Sequence, residues 1–316
     1  MATIMITGGT GTVGKRLTEI LLEKGHSVII VGRGASANTN TRCRYAQWNI
    51  DNKTIDETAI QEADYIIHLA GAGVADKRWS DTRKNEIANS RIDSCELIVK
   101  ALSTIPNKVK AVISASAIGW YGPDQTVHST SSLGNLGLQR IGFKEEAKPY
   151  PDFLGNTCKA WEESIAPVTA LGKRLVILRT GIVLSNQGGA LVEFKKPLLF
   201  KTAAILGSGN QIISWIHVDD LCNQYLFAIE NESMNGVYNA VAPNPVSNKT
   251  LTIELAKKIC GAWYIPFYVP AFVLKIALGE MSIEVLKSAT VSSSKIEKAG
   301  FSFAYPTIDS ALQQLC

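Results

Sequence analysis

The chain has 316 residues and a mass of 34.2 kDa, with 46% hydrophobic and 19% charged residues. That composition is of a folded chain and excludes disorder, collagen and coiled coil as the main architecture. Thirty-two basic against 28 acidic residues give a net charge of +4 with no clustered run of Lys or Arg, so neither nucleic acid nor a membrane surface is demanded as a partner.

In chain order, Thr3–Thr7 reads as a strand and runs into Gly8-Gly9-Thr10-Gly11-Thr12-Val13-Gly14. Val13, Leu17, Ile20 and Leu21 then recur at helical spacing, and Gly25 marks a stop. Further strands are predicted at His26–Val31, Tyr45–Ile50, Tyr65–Leu69, Ala111–Ala115, Leu175–Leu178 and Ile212–Ile216. Helices are predicted over about Arg83–Leu102, Asn156–Ala166 and Asp219–Glu230. Such alternation implies an α/β fold, a doubly wound parallel sheet of Rossmann type. The segment Ser185–Asn210 breaks it, and about Pro243 to Cys316 reads as a smaller α+β portion over the mouth of the sheet. The expected division is 1–184 with 212–242 as the NADP-binding domain, and 185–211 with 243–316 as the substrate-binding portion. The six cysteines are scattered without CxxC spacing, and no leader precedes the first strand, so a reducing, cytoplasmic location is expected. No run of about 18 apolar residues occurs, and no membrane segment is expected.

The string TGGTGTVG, residues 7 to 14, carries the most chemistry. It follows a predicted strand and opens a predicted helix, the context in which a glycine motif binds a dinucleotide. Gly8 allows the tight turn, Gly11 lets backbone approach a pyrophosphate, and Gly14 lets helix and sheet pack closely. Thr10, Thr12 and Val13 complete the loop, whose free N–H groups favour phosphate. An acid about 20 residues on would bind a ribose diol and indicate NAD. Here no Asp or Glu lies between Glu23 and Asp51, and the second strand ends Val31-Gly32-Arg33. Arg33 can fork onto a 2′-phosphate, so NADP(H) is expected over NAD(H). Asp51 is either a partner for the adenine amino group or the cap of the next helix.

TGGTGTVG, His68-Leu69-Ala70-Gly71, SASAIGWYG (114–122) and WIHVDDL (215–221), taken together, resemble the extended short-chain dehydrogenase/reductases. The chain is more narrowly similar to their epimerase-like branch, often called NAD-dependent epimerase or cell-division-inhibitor homologue. Arg78-Trp79 with Lys84 and Ser90-Arg91, YNAVAPNPVSN (238–248), GEMSIEVL (279–286) and KAGFSFAYP (298–306) carry that narrower likeness across the whole chain. The resemblance implies a Rossmann domain holding NADP(H), a small C-terminal substrate domain, and a homodimer. It also makes Gly32, Arg33, Leu69, Ala70, Glu86, Arg91 and Val183 cofactor-contacting positions, with Gly71 closing the same strand. Glu86 would accept from a ribose hydroxyl or orient an arginine; otherwise it is a solvated helix charge.

Enzymes of this kind use Ser, Tyr and Lys, the lysine one helical turn after the tyrosine. None of the nine tyrosines has Lys four positions later. Lys159 in Asn156–Glu162 matches the lysine, and the tyrosine slot falls on Gly155. Tyr121 and Tyr150 are substitutes from neighbouring loops, and Ser116 matches the catalytic serine, with Ser114 behind it. Two functions follow: an NADP(H)-dependent epimerase-like oxidoreductase on a small, sugar-like hydroxyl or carbonyl substrate, or a non-catalytic NADP(H)-binding regulatory or scaffold protein. His217, Asp219 and Asp220 read as the start of a helix, capped by the aspartates, more readily than as a metal site. Trp79, Trp161, Trp215 and Trp263 read as core aromatics, and His68 as satisfied within the sheet.

Overall fold

The computed structural model describes residues 1–34, 42–124 and 142–316. Strand β1 (Thr3–Thr7), helix α1 (Thr12–Glu23), β2 (Ser27–Gly32), β3 (Cys43–Asn49) and a short β4 (Thr54–Ile55) open the chain. Next come α2 (Glu57–Glu62), β5 (Tyr65–His68), the long α3 (Asp81–Thr104), β6 (Ala111–Ala117), α4 (Phe153–Ile165) and β7 (Arg174–Thr180). The chain then runs through β8 (Ile182–Leu184), α5 (Ala190–Lys195), β9 (Thr202–Leu206), β10 (Ile212–Ile213), β11 (Trp215–His217), α6 (Val218–Glu230) and β12 (Gly236–Ala240).

Eight strands form one sheet in the order β12-β7-β6-β5-β1-β2-β3-β4. All neighbours in it are parallel except β3 and β4. The strand order reverses at β1, which lies between β2 and β5, and such a switch point leaves a crevice at the carboxyl ends of the strands. Ile4, Met5, Ile6, Ile66 and Ile67 are fully buried because helices cover both faces, which is why these strands read as unbroken apolar runs. Leu17, Leu21, Leu221 and Tyr225 of α1 and α6 fill one face; Ile60, Ile98, Leu102, Trp161 and Ile165 of α2, α3 and α4 fill the other. Each such aliphatic side chain contributes roughly 1.5–3 kcal/mol on full burial.

The C-terminal elements are β13 (Val246–Ser247), α7 (Asn248–Cys260), β14 (Ile265–Val269), α8 (Ala271–Leu278), α9 (Ser282–Leu286), α10 (Ser294–Lys298) and α11 (Ile308–Leu315). A separate apolar core joins Leu251 and Leu255 of α7 to Ile308 and Leu312 of α11, with Trp215 and Leu198. Strand β14 pairs in parallel with β9 alone.

Two expectations are corrected. The stretch Ile212–Ile216 is not one strand: β10 pairs antiparallel with β13, and β11 pairs in parallel with β8. Ser214 lies at the break, where its hydroxyl donates to Ala289 O at 2.8 Å and accepts from Val291 N at 2.9 Å, fastening the chain to the C-terminal segment. Trp215 and Trp161 are core residues, but Trp263 is 78% exposed.

Candidate functional site

The glycine loop closes the end of β1 against the end of β5. Gly8 has φ +72°, and a Cβ there would lie 2.9 Å from the backbone of Leu69 and Ala70. A Cβ on Gly14 would meet Gly8 O at 2.4 Å, so α1 approaches the loop only because that residue is glycine. Gly11 donates from N to Gly8 O at 3.1 Å, and as N-cap of α1 it supplies no side-chain cap. No acidic residue lies in the first turn, so the positive helix end, with Thr10, Gly11, Thr12 and Val13, is open to an anion.

Arg91 approaches the same mouth from α3. Its Nη1 donates to Ala72 O at 3.0 Å and Ile87 O at 2.7 Å, and its guanidinium stands 4.9 Å over Trp161. No carboxylate pairs with it among the described residues, and burial pushes its pKa down. Arg83, two turns earlier, pairs with Glu86 at 2.6 Å and Asp76 at 3.5 Å, yet its Nε is buried without a partner. A Cβ on Gly71 would press on the Arg91 guanidinium at 3.1 Å. Arg33 follows β2 directly, with its side chain exposed and its carbonyl held by Gln47 Nε2 at 3.0 Å. Glu86 is shifted below the usual carboxylate range, first by its bond to Arg83 and further by the charges of Lys77 and Arg33, so Arg33 and Glu86 share one electrostatic neighbourhood. The loop amides, the Arg91 guanidinium with no carboxylate partner among the described residues, the orphan Arg83 Nε and the small Ala70 and Gly71 fit a dinucleotide diphosphate. Arg83 escaped sequence reading because nothing in its spacing sets it apart from a solvated helix charge.

Val183 of β8 lies beside Ile216 and packs on the first core. The turn that follows reaches back to the loop: a Cβ on Gly188 would stand 2.7 Å from Thr12 Oγ1. Asp51 sits exposed in the turn after β3. It does not cap α2; Asp56 does, accepting from Ala59 N at 3.0 Å.

The residues matched to catalysis are not brought together as expected. Ser116 is 2% exposed and its hydroxyl donates to Glu162 Oε1 at 2.6 Å. Its proton is committed to that carboxylate and is not offered to a carbonyl. Glu162 holds Arg179 bidentately, Nε at 2.8 Å and Nη2 at 2.9 Å. Arg179 Nη1 in turn donates to the Tyr121 hydroxyl at 3.1 Å, which donates to Asn239 Oδ1 at 2.7 Å. Tyr121 is wholly buried, and burial pushes its pKa up to about 12. It is a structural residue of this network and not the replacement for the missing tyrosine. Lys159 points outward, 52% exposed, 3.8 Å from Glu163. A Cβ on Gly155 would lie 2.0 Å from Tyr150 O, so no side chain fits the tyrosine slot. Tyr150 is 41% exposed, its ring against Gly122. The network was signalled only by Arg179, a charge at the end of an apolar strand.

Elsewhere, His68 is fully buried between Thr7 Oγ1 at 2.6 Å and Ser94 Oγ at 3.2 Å, and burial pushes its pKa down to about 3. His217, not an aspartate, caps α6 by accepting from Asp219 N at 3.1 Å. Asp219 pairs with Arg16 at 2.6 Å, and Asp220 accepts from Ala304 N and Tyr305 N. No group of three metal-ligating side chains occurs among the described residues. No helix among them is long and apolar enough to cross a membrane. A groove of about 450 Å³ opens between α3 and α4, lined by Lys84, Asn85, Phe153, Asn156 and Thr157 among others. Lys84 on its rim reaches Glu280 at 2.9 Å, and a Cβ on Gly279 would lie 2.5 Å from Arg78 Nε.

A doubly wound sheet with an anion-ready glycine loop at its switch point defines a dinucleotide-dependent enzyme of Rossmann type. The NAD dependent epimerase/dehydratase family matches residues 4–140, and a domain of unknown function matches 269–315. An epimerase family protein of Bacillus subtilis is 33% identical over 99% of this chain and 97% of its own length. One from Staphylococcus saprophyticus is 34% identical over 98% of each. The chain belongs to this epimerase family. Among solved structures, a human epimerase family protein with NADPH superposes with TM-score 0.83 at 24% identity, covering 99% of this chain and 98% of that one. A nucleoside-diphosphate sugar epimerase of Corynebacterium glutamicum gives TM-score 0.75 at 29% identity, over 99% of this chain and 58% of that one. UDP-glucuronic acid 4-epimerase of Bacillus cereus, with NAD, gives 0.77 at 18%, over 99% and 97%, a likeness of fold alone.

Proposed function

We propose that the chain is an NADP(H)-dependent oxidoreductase or epimerase acting on a small hydroxyl or carbonyl substrate. The observation that carries the reading is Arg33 at the end of β2, with no carboxylate where a ribose diol would need one. The NADPH held by the human relative is consistent with it, while the Bacillus cereus enzyme holds NAD. The α1 amides of residues 10–14 would hold the diphosphate, with Arg91 neutralising it and Arg83 offering its unpartnered Nε. Leu69, Ala70, Gly71 and Val183 would line the ribose and nicotinamide path, Gly32 and Arg33 the 2′-phosphate, and Glu86 would orient the arginines. Asp51 is assigned to the adenine edge. When bound, the cofactor supplies hydride acceptance and donation.

For the proton, Tyr150 is the tyrosine assigned, because its ring is exposed and its backbone meets the Gly155 slot; Lys159, one turn further along α4, would supply positive charge once turned away from Glu163. Ser116 is assigned to hold Glu162 and the strand end in place. The binding-only alternative draws on one observation: the slot at Gly155 admits no side chain. We assign the substrate to the portion formed by 185–211 and 243–316. Titration of the protein with NADPH and NADH, with and without Arg33→Ala, tests the cofactor reading. A loss of about tenfold or more for NADPH with NADH unchanged is expected; equal losses would overturn it. Turnover that disappears with Tyr150→Phe while NADPH affinity stays is expected for the enzyme; retained NADPH binding with no turnover of any carbonyl would favour the binding protein.

A further inference from the structure

On the proposed function a dinucleotide has its diphosphate at the start of α1 and its adenosine end toward Arg33 and Asp51, past β2 and β3. Its other end then runs the opposite way across the sheet, over the carboxyl ends of β5 and β6, which follow β1 in the strand order. Strand β6 ends at Ala117 and passes into a single tight turn, Ile118–Trp120. Two side chains of α4 lie against this turn. A Cβ on Gly119 would stand 3.1 Å from Leu154 Cβ, 3.3 Å from Leu154 Cδ1 and 3.6 Å from Cys158 Sγ. The Cys158 thiol donates to Ala117 O at 3.6 Å, which holds the helix on the strand end. Residues 154 and 158 are one helical turn apart and share a face. Gly155 and Lys159, the positions matched by sequence to the reacting pair, stand beside that face: one is packed on Tyr150 O and the other reaches Glu163. Cys158 is buried, whereas Leu154, Ala117 and Gly119 are half-buried. On the neighbouring strand, Ile182 follows the end of β7 by two residues and is exposed. The hydroxyls bordering these residues have their protons committed: Ser116 to Glu162 Oε1 at 2.6 Å, Thr157 to Phe153 O at 2.7 Å, and Thr180, the register partner of Ala117, to Leu178 O at 3.3 Å.

We infer that Leu154, backed by Cys158, is the wall that meets the reacting end of the cofactor, and that it selects an alcohol or ketone with hydrocarbon, not hydroxyls, beside the reacting carbon. This deepens the proposed function and rests on it. A substrate hydroxyl pressed against the leucine gives up water and gains no hydrogen bond from it. A substrate methylene in the same place is worth about 10–200-fold in selection. The leucine and the thiol therefore act on which substrate is taken, and the proton remains with Tyr150.

Calorimetry on the NADPH-loaded protein, with cyclohexanol and with inositol, compares one ring carrying one hydroxyl or six without turnover. Cyclohexanol is expected to bind at least about tenfold more tightly, and Leu154→Asn to erase that preference. A second readout is the emission of bound NADPH, which rises where water is kept from the nicotinamide. Leu154→Asn should lower it and Leu154→Met should keep it. Asn156→Ala, in the α3–α4 groove, should leave it unchanged. Where circular dichroism shows that Leu154→Asn has not folded, Ile182→Asn at the exposed strand end is read in its place, with the same loss of preference expected. Inositol bound as tightly as cyclohexanol, or emission unmoved by the folded variant, overturns the inference and leaves the cofactor reading standing. A loaded protein that takes neither ring overturns it also. No binding of NADPH by the native chain overturns the cofactor reading itself, and this inference with it.

Discussion

Arg179 and Arg91 both stack on tryptophans beside the sheet, at 3.6 Å from Trp120 and 4.9 Å from Trp161. Around Arg179 the account closes: Glu162 takes both its forks, Tyr121 and Glu145 O take the rest, and Ser116 and Asn239 complete the chain. Around Arg91 only neutral carbonyls answer among the described residues, so a charge is held partly desolvated with no counter-charge among them. A fold tolerates that where the compensating anion arrives from outside. On the proposed function the first region is architecture and the second a binding surface, although residue type and ring contact are the same.

Mutation separates the two. Glu162→Gln strands Arg179 and should cost about 3–5 kcal/mol of stability, read by urea denaturation without cofactor; a loss under ~1 kcal/mol would mean the network contributes little. Arg91→Met should leave apo stability within about 1 kcal/mol, or raise it, since an unpaired charge is removed. The same variant should weaken both NADPH and NADH by about tenfold or more, having lost a charge-assisted contact to phosphate. Destabilisation comparable with Glu162→Gln would place Arg91 with the architecture.

A smaller effect comes from His68. Burial holds its folded pKa at about 3 against 6.5 for a free imidazole. The unfolded chain binds a proton below about 6.5 that the folded one refuses, so its contribution is full above that value and shrinks as pH falls toward 3, by at most about 1.4 kcal/mol per pH unit. Denaturation at pH 7.5, 6 and 5 should show this slope, and His68→Asn should reduce it by close to one proton. An unchanged slope would show that the histidine is not the group responsible.

Much of the sheet was legible because parallel strands buried on both faces leave continuous runs such as Ile4–Ile6 and Ile66–Ile67. The glycine loop was legible because its constraints are local: Gly8 and Gly14 answer to atoms a few residues or one strand away. Strand β12 was not, because Gly-Val-Tyr-Asn-Ala lacks an apolar run and is held in the sheet by β7. The roles of Ser116 and Tyr121 were not legible either, since their partners lie 46 and 118 positions away in sequence. A serine matched by motif does not disclose that its proton is already spoken for.

Gly188 lies close against the Thr12 hydroxyl. A methyl group there would press on the Thr12 hydroxyl and make it turn away from the loop that follows β8. The opening of the first helix and the loop after β8 thus meet at Thr12 and Gly188, and a residue larger than glycine would reset the rotamer of a hydroxyl at the mouth of the cradle.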